Sequence, residues 1–287
     1  TWQQNAPKKK MKTYDLFIQS EKYSTKWEKY FDVYDSVFEK YRDKKITFVE
    51  VGIFNGGSLE IWKKFFHPES RIIGIDLNPE CKKFEKKGIE IFIGDQSNEN
   101  FWDDFYKKVG KIDILLDDGG HTNMQQTITS IKSIPNINDD GVLLIEDTHA
   151  SYMNEFGNPS RYSFINFTKK LIDDVNFKYP NLGRFRTSLN NYIYSIQYYE
   201  SFVIFYINSK KTSTNKSINN KSVNKDMIDD FRHENLIKKE ILKNKWTRNF
   251  KFLYKYRFFK WCYYLILNKI IYFKYVSDTI KCLKFFK

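Results

Sequence analysis

Cysteine is scarce. Cys81, Cys262 and Cys282 are the only three in 287 residues, and no two have the spacing of a metal-binding pair. This excludes a disulfide framework and a cysteine-rich zinc module, and a reducing, cytoplasmic setting is the expectation. Long apolar runs are also missing. No stretch approaches the roughly 20 residues a membrane-spanning helix needs. No apolar segment follows the basic Lys8–Lys10, so nothing reads as a signal peptide. Residues 1–10 are expected to be a leader outside the fold. No internal repeat is visible.

Acid is short in one region only. Residues 1–208 carry 28 Lys or Arg against 29 Asp or Glu, whereas residues 209–287 carry 20 against 6. The net charge of +13 therefore belongs to the C-terminal part. Such asymmetry points to contact with an anionic membrane or a polyanion.

What is present is an alternation of short apolar runs with helical patterns. Residues 11–42 read as helical, with Tyr30, Val33, Tyr34, Val37, Phe38 and Tyr41 on one face. Five strands follow at Ile46–Val51, Arg71–Asp76, Ile89–Ile93, Lys111–Asp117 and Gly141–Glu146. Helices are expected between them at Ser58–Phe66, from Pro79, at Asn100–Val109 and at Met124–Ile131. Another helix is expected at Phe164–Val175, then a tight hairpin of Tyr192–Gln197 and Phe202–Ile207 at one sheet edge. This pattern predicts an α/β domain over residues 11–208, with a doubly wound, mostly parallel, seven-stranded sheet closed by an antiparallel hairpin. Residues 209–225, rich in Ser, Thr, Asn and Lys, read as a linker. Residues 226–287 read as a basic, aromatic helical tail, starting with a polar helix at Met227–Leu242. Residues 245–287 hold 15 aromatics and 11 Lys or Arg against one acid.

Open parallel sheets bind ligands beyond the carboxyl ends of their strands, and those ends are polar here. The first runs into Glu50-Val51-Gly52-Ile53-Phe54-Asn55-Gly56-Gly57-Ser58, a turn in which glycines allow close approach of a ligand. It is neither a dinucleotide fingerprint nor a phosphate loop. The second ends in Asp76, placed to accept two ribose hydroxyls or to start the next helix. The third ends in Gly94-Asp95-Gln96-Ser97, within reach of an adenine amino group.

The fourth strand ends in Asp117-Asp118-Gly119-Gly120-His121 and the fifth in Glu146-Asp147-Thr148-His149. Four carboxylates on adjacent strand ends repel one another. A divalent cation resolves this, and oxygen ligands favour Mg²⁺; the alternative is that some of these acids only cap helices or hold backbone amides. His121 is placed to take a proton at neutral pH.

Glu50–Ser58, Arg71–Asp76, Asp117–His121 with Gln125, and Glu146–Gly157 together resemble the metal-dependent sugar O-methyltransferases, a group with macrolide-sugar and polysaccharide-modifying members. The similarity covers roughly residues 20–208. It implies the Rossmann-like class I methyltransferase fold, with S-adenosylmethionine and Mg²⁺ as cofactors. It implies that Asp118, Glu146 and Asp147 hold the metal and that His121 is the general base. The cofactor pocket is expected from Glu50, Gly52, Asn55, Gly56, Ser58, Asp76, Asp95, Gln96 and Asp117. His149 and Tyr152 are expected to face a sugar or nucleotide-sugar acceptor. Met153 stands where relatives often carry Trp. The tail suits peripheral membrane contact, or packing on the core or on a second subunit. A nucleic-acid methyltransferase and a non-methylating relative on the same fold are the rival readings. Against the first, the domain that would hold the site is not basic.

Overall fold

The computed structural model describes residues 10–157, 161–178, 189–218, 256–274 and 276–286. The chain divides into two compact units, one through Ser217 and one from Ile218.

The first unit is built on one sheet. Its strands are β1 (Thr47–Val51), β2 (Arg71–Asp76), β3 (Ile89–Ile93), β4 (Ile112–Asp117), β5 (Ile137–Ile145), β6 (Ile193–Tyr199) and β7 (Phe202–Ile207), in the order β3-β2-β1-β4-β5-β7-β6. The first five are parallel, and β7 returns antiparallel to β5 and β6. Side chains alternate between the two faces, and each face has its own core. Phe48, Ile72, Ile114 and Leu144 pack with α1 (Thr13–Ile18), α2 (Tyr30–Phe38) and α3 (Gly57–Phe65). Val49, Ile73, Leu115 and Leu143 pack with α4 (Glu99–Val109) and α6 (Phe164–Asn176). Each large apolar side chain so buried contributes about 1.5–3 kcal/mol.

Helix α5 (Asn123–Ser133) differs. It buries Gln126, Thr129, Ser130 and Ser133 rather than apolar residues, while Met124 is exposed. Some of these polar groups are paired: Gln126 donates to the Glu146 carbonyl at 2.9 Å, Ser130 donates to the Gln126 carbonyl at 2.8 Å, and Thr129 accepts from Gln96 at 3.2 Å.

Several expectations are corrected. Residues 11–42 are not one helix: α1 and α2 are separated by residues 19–29, which run without helix across the carboxyl edge of the sheet. The Lys-rich helix from Pro79 is a short 3₁₀ turn, Pro79–Phe84, with Asn78 as its N-cap. Strand β5 starts at Ile137, four residues early, and the Asp139-Asp140-Gly141 turn is an irregularity inside it. The start of the expected linker, residues 209–215, is tied to the domain. Ser209 donates to Asp139 from both its amide and its hydroxyl, and Asn215 to the Lys178 carbonyl. The expected helix at Met227–Leu242 lies outside the described residues.

In the second unit, α7 (Arg257–Lys274) and α8 (Val276–Leu283) are helical, in keeping with a helical tail. Among the described residues no helix is long and apolar enough to cross a membrane.

The turn after β1 depends on one glycine. Gly52 has φ +81°, and a Cβ there would stand 2.1 Å from the Asp118 carbonyl oxygen. Gly157 has φ +85°, but a Cβ there would make only an ordinary contact, 3.8 Å from Asn123 Nδ2. Gly52→Ala should therefore cost more than about 3 kcal/mol, from backbone strain plus overlap. Gly157→Ala should cost about 1–2 kcal/mol, from the left-handed backbone alone. Urea denaturation of the two variants checks the difference, and equal costs would refute the close-approach account.

Candidate active site

The strand ends are held in register by the sheet. Val51 pairs with both Ile75 and Asp117, and Asp117 pairs with Ile145. The ladder extends one residue beyond the strands: Gly52 donates to Ile75, Asp118 to Val51 and Glu146 to Asp117. Residues after four strands thus meet at one edge. Backbone strain gathers there too. Phe54, His121, Asp147 and Ser201 all have positive φ, a conformation non-glycine residues hold only where their surroundings impose it.

Two cavities open along this edge. The first, of about 490 Å³, lies over the ends of β1 to β4, where strand order reverses. Gly52, Asn55, Asp76, Asp95, Gln96 and Asp118 line it, along with Gln125. The carboxylate of Asp76 is already used: it accepts from the amides of Ile53, Phe54 and Asn78 at 3.0, 3.2 and 2.9 Å. Asp95 accepts from the Ser97 amide and hydroxyl.

Four expected pocket residues stand behind the wall instead. Glu50 is fully buried and accepts from Ser58 Oγ at 2.7 Å, so both point inward. Gly56 caps α3 behind the Phe84 ring. Asp117 is buried and accepts from Gln96 Nε2 at 3.0 and 3.1 Å. Gln96 returns its carbonyl to the Gly120 amide at 2.9 Å, which braces the Asp118–His121 turn. Thr122 and Gln125 form a capping box at the start of α5 and fix the chain just after His121.

The second cavity, of about 800 Å³, is lined by His149 and Tyr152 together with Trp27, Tyr30, Tyr198 and Tyr199. His149 Nδ1 lies 2.8 Å from Ser201 Oγ.

The carboxylate cluster stands between the cavities. Asp118, His121 and Asp147 each offer a ligand atom, all within 4.8 Å of one another. His121 Nε2 is 3.4 Å from Asp147 Oδ2, and its buried Nδ1 has no hydrogen-bond partner. Glu146, expected in the metal set, stands outside this group. Its Oε1 accepts from the Tyr34 hydroxyl at 2.5 Å, and its Oε2 faces Lys26 Nζ at 3.2 Å.

Lys26 is the functional residue the sequence did not disclose. Its side chain is 5% exposed, and Nζ lies 2.5 Å from Asp118, 3.2 Å from Glu146 and 3.8 Å from Glu50. Among the described residues it is the one Lys or Arg paired with these acids. Burial works against its charge, but Asp118 and Glu146 outweigh burial and hold its pKa well above the ordinary range. Burial pushes the Glu50 carboxyl up to about 7 and raises Glu146 far above the usual carboxylate range, against the pull of Lys26. The only signal that could have exposed Lys26 is a lysine one turn ahead of Tyr30 on the apolar face.

A carboxyl whose pKa is raised on folding binds more protons in the native state. Its contribution is complete below the unfolded pKa, near 4.3, and is lost as pH rises through the folded value. For Glu50 that window closes at about pH 7. Lys26→Met removes this counter-charge, so it should destabilise the metal-free protein by about 3–5 kcal/mol at pH 8 and by much less at pH 5. Chemical denaturation in EDTA at the two pH values reads this, and a pH-independent loss would refute it.

No family model matches the chain. It is 31% identical over 154 residues to the mycinamicin VI 2''-O-methyltransferase of Micromonospora griseorubida, covering 50% of this chain and 38% of that protein. It is 29% identical over 172 residues to a tetracenomycin rhamnosyl 2'-O-methyltransferase of Streptomyces olivaceus, covering 55% and 45%. The chain thus spans less than half the length of these curated relatives. Among solved structures it resembles the MycE methyltransferase of the mycinamycin pathway in complex with Mg, SAH and mycinamycin VI. The TM-score is 0.56 at 25% identity, over 62% of this chain and 49% of that one. A crystal form of MycE with Mg and SAH gives a TM-score of 0.60 at 24% identity, over 70% and 55%. The chain carries the class I methyltransferase fold and over about half its length is similar in sequence to these O-methyltransferases.

Proposed function

We propose that this chain transfers the methyl group of S-adenosylmethionine to a hydroxyl of a sugar, with Mg²⁺ assisting. The observation that carries the reading is the placement of the Asp118–His121–Asp147 cluster between two cavities of different character. The first cavity has the polar strand-end lining that a nucleoside and an amino acid group need. The second presents aromatic faces and several histidine- and tyrosine-borne polar groups, suited to a sugar ring and what it is attached to. The relatives act on sugars of macrolides and of tetracenomycin. For this chain the acceptor is read as a nucleotide-activated sugar or a surface-polysaccharide precursor.

The residues fit the metal. Asp118 and Asp147 supply the hard oxygen donors Mg²⁺ prefers, Glu146 would join them only by releasing Oε2 from Lys26, and the imidazole of His121 is left for proton transfer. When bound, Mg²⁺ would act as a Lewis acid that makes an acceptor hydroxyl easier to deprotonate. His121 Nε2 takes that proton, with Asp147 beside it to stabilise the imidazolium. The hydroxyl oxygen forms the new O–CH₃ bond as the S–CH₃ bond breaks, and the sulfonium becomes a neutral thioether. The walls of the two cavities hold donor and acceptor in line, and this ordering supplies much of the rate. The Gln96–Asp117–Gly120 network keeps the loop that carries His121 from shifting. The exposed Phe258, Trp261, Ile266 and Phe273 of α7, set among basic residues, support peripheral contact with an anionic membrane.

The test is mass spectrometry of a panel of nucleotide sugars and glycosylated macrolides after incubation with the chain and S-adenosylmethionine. A gain of one methyl that EDTA abolishes is expected, and His121→Ala should lower the rate by about 10²–10⁴-fold. A gain indifferent to EDTA would remove the metal from the mechanism. Full activity in the His121 variant would remove the base.

A further inference from the structure

Lys26, Tyr30 and Tyr34 are spaced by four residues, and all three end on the carboxylate cluster. The last two lie on α2, and Lys26 stands one turn before it. Their rings and stem belong to the apolar core: Tyr34 is fully buried against Phe38, Trp62 and Phe202, and Tyr30 packs on Phe202. Only their tips are polar. The Tyr30 hydroxyl donates to Asp147 Oδ1, and the Tyr34 hydroxyl donates to Glu146 Oε1. Lys26 takes Oδ2 of Asp118. Asp147 and Asp118 therefore each have one oxygen held from this side, and Glu146 has both, its Oε2 lying 3.2 Å from Lys26 Nζ.

We propose that Tyr30 and Tyr34 are positioning residues for a divalent cation: Tyr30 fixes Oδ1 of Asp147 so that Oδ2 is presented to the ion, and Tyr34 fixes Oε1 of Glu146 and so sets the direction of Oε2, which Lys26 holds at the edge of the cluster. The inference rests on the metal-assisted reading above. Ligand carboxylates swing freely unless a second hydrogen bond fixes them, and such outer partners set metal affinity. A phenol suits the task because it donates without adding charge, whereas another lysine would repel the cation. A phenol with its ordinary pKa of about 10 is a protonated donor at neutral pH. Asp147 shows the result directly: with Oδ1 taken by Tyr30, its Oδ2 faces His121.

The same helix face supplies a control. The Tyr41 hydroxyl is equally committed, to the Asp140 carbonyl at 2.6 Å, but lies at the far end of β5 from the cluster. Removing it disturbs packing and hydrogen bonding without touching the ligands.

The experiment is calorimetric titration of Mn²⁺ and of Mg²⁺ into the full chain, with thermal melts of every variant. Tyr30→Phe and Tyr34→Phe should each weaken binding by about tenfold, and the pair by about a hundredfold. Tyr41→Phe should bind as the wild type does, whatever its melting temperature. Tyr30 and Tyr34 variants that melt cooperatively and bind both ions with wild-type affinity would overturn the proposal while sparing the metal reading. A wild-type chain that binds neither ion would overturn both. An affinity loss in Tyr41→Phe as large as in the others would show a general effect of hydroxyl removal and would also overturn it.

Discussion

The fold has to keep four carboxylates together at the end of a parallel sheet, and one buried ammonium makes that arrangement tenable. Glu50, Asp118, Glu146 and Asp147 arrive at the same edge because β1, β4 and β5 are adjacent and in register. Water that would screen them is largely excluded: Glu50 and Glu146 are fully buried. An unpaired buried carboxylate costs several kcal/mol or takes up a proton. The Lys26 ammonium lies within 4 Å of three of the four. It lowers the electrostatic cost without cancelling it, which is why Glu50 and Glu146 still carry raised pKa values. A site left acid-rich in this way has affinity in reserve for further cations. A divalent ion and the sulfonium of a methyl donor are both cations.

The interruption between α1 and α2 follows from the same constraint. A continuous helix over residues 11–42 would carry Lys26 on a straight rod along the sheet face. The extended path of residues 19–29 instead drops it onto the strand ends. The path is held by contacts on both sides. Backbone oxygens of Lys22 and Tyr23 sit so near Gly57 that a side chain there would collide with them. Tyr23 meets Phe54 edge to face, and Trp27 meets His149 in the same manner. The segment therefore runs from the rim of one cavity to the rim of the other, with its one buried charge between them.

Most of the sheet was legible because buried parallel strands are short apolar runs cut off by turn residues, and that contrast survives in the sequence. Arg71–Asp76 and Ile89–Ile93 emerge as read, and β1 and β4 differ by one residue at their starts. Strand β5 was read short because Asp139, Asp140 and Gly141 look like a turn, although hydrogen bonds from Asn208 and Ser209 hold the two aspartates in the sheet. Strand-end acids were legible as a cluster, since topology alone brings them together. Their individual roles were not. Whether Glu50 faces a cavity or Ser58 depends on a side-chain rotation, and nothing in the order of residues encodes it. Lys26 was hidden for a related reason: its partners lie 92 and 120 residues away, and a lysine in a helical pattern reads as a solvated charge.

The same limit explains the tyrosines. Tyr30, Tyr34 and Tyr41 follow the apolar period of α2 and serve as core, so a periodicity argument has no reason to separate them from Phe31 or Phe38. The hydroxyls distinguish them. Tyr41 reaches the Asp140 carbonyl, and Tyr34 and Tyr30 reach Glu146 and Asp147. One helix face thus grips β5 at its irregular start and just beyond its end, with an apolar body against the sheet at each step and a polar tip where the strand needs a partner. Phenylalanine at these positions would preserve the packing and lose the grip. The aromatic richness of the chain follows its overall composition, but at these three positions the ring carries a donor that the carboxylate cluster and its strand depend on.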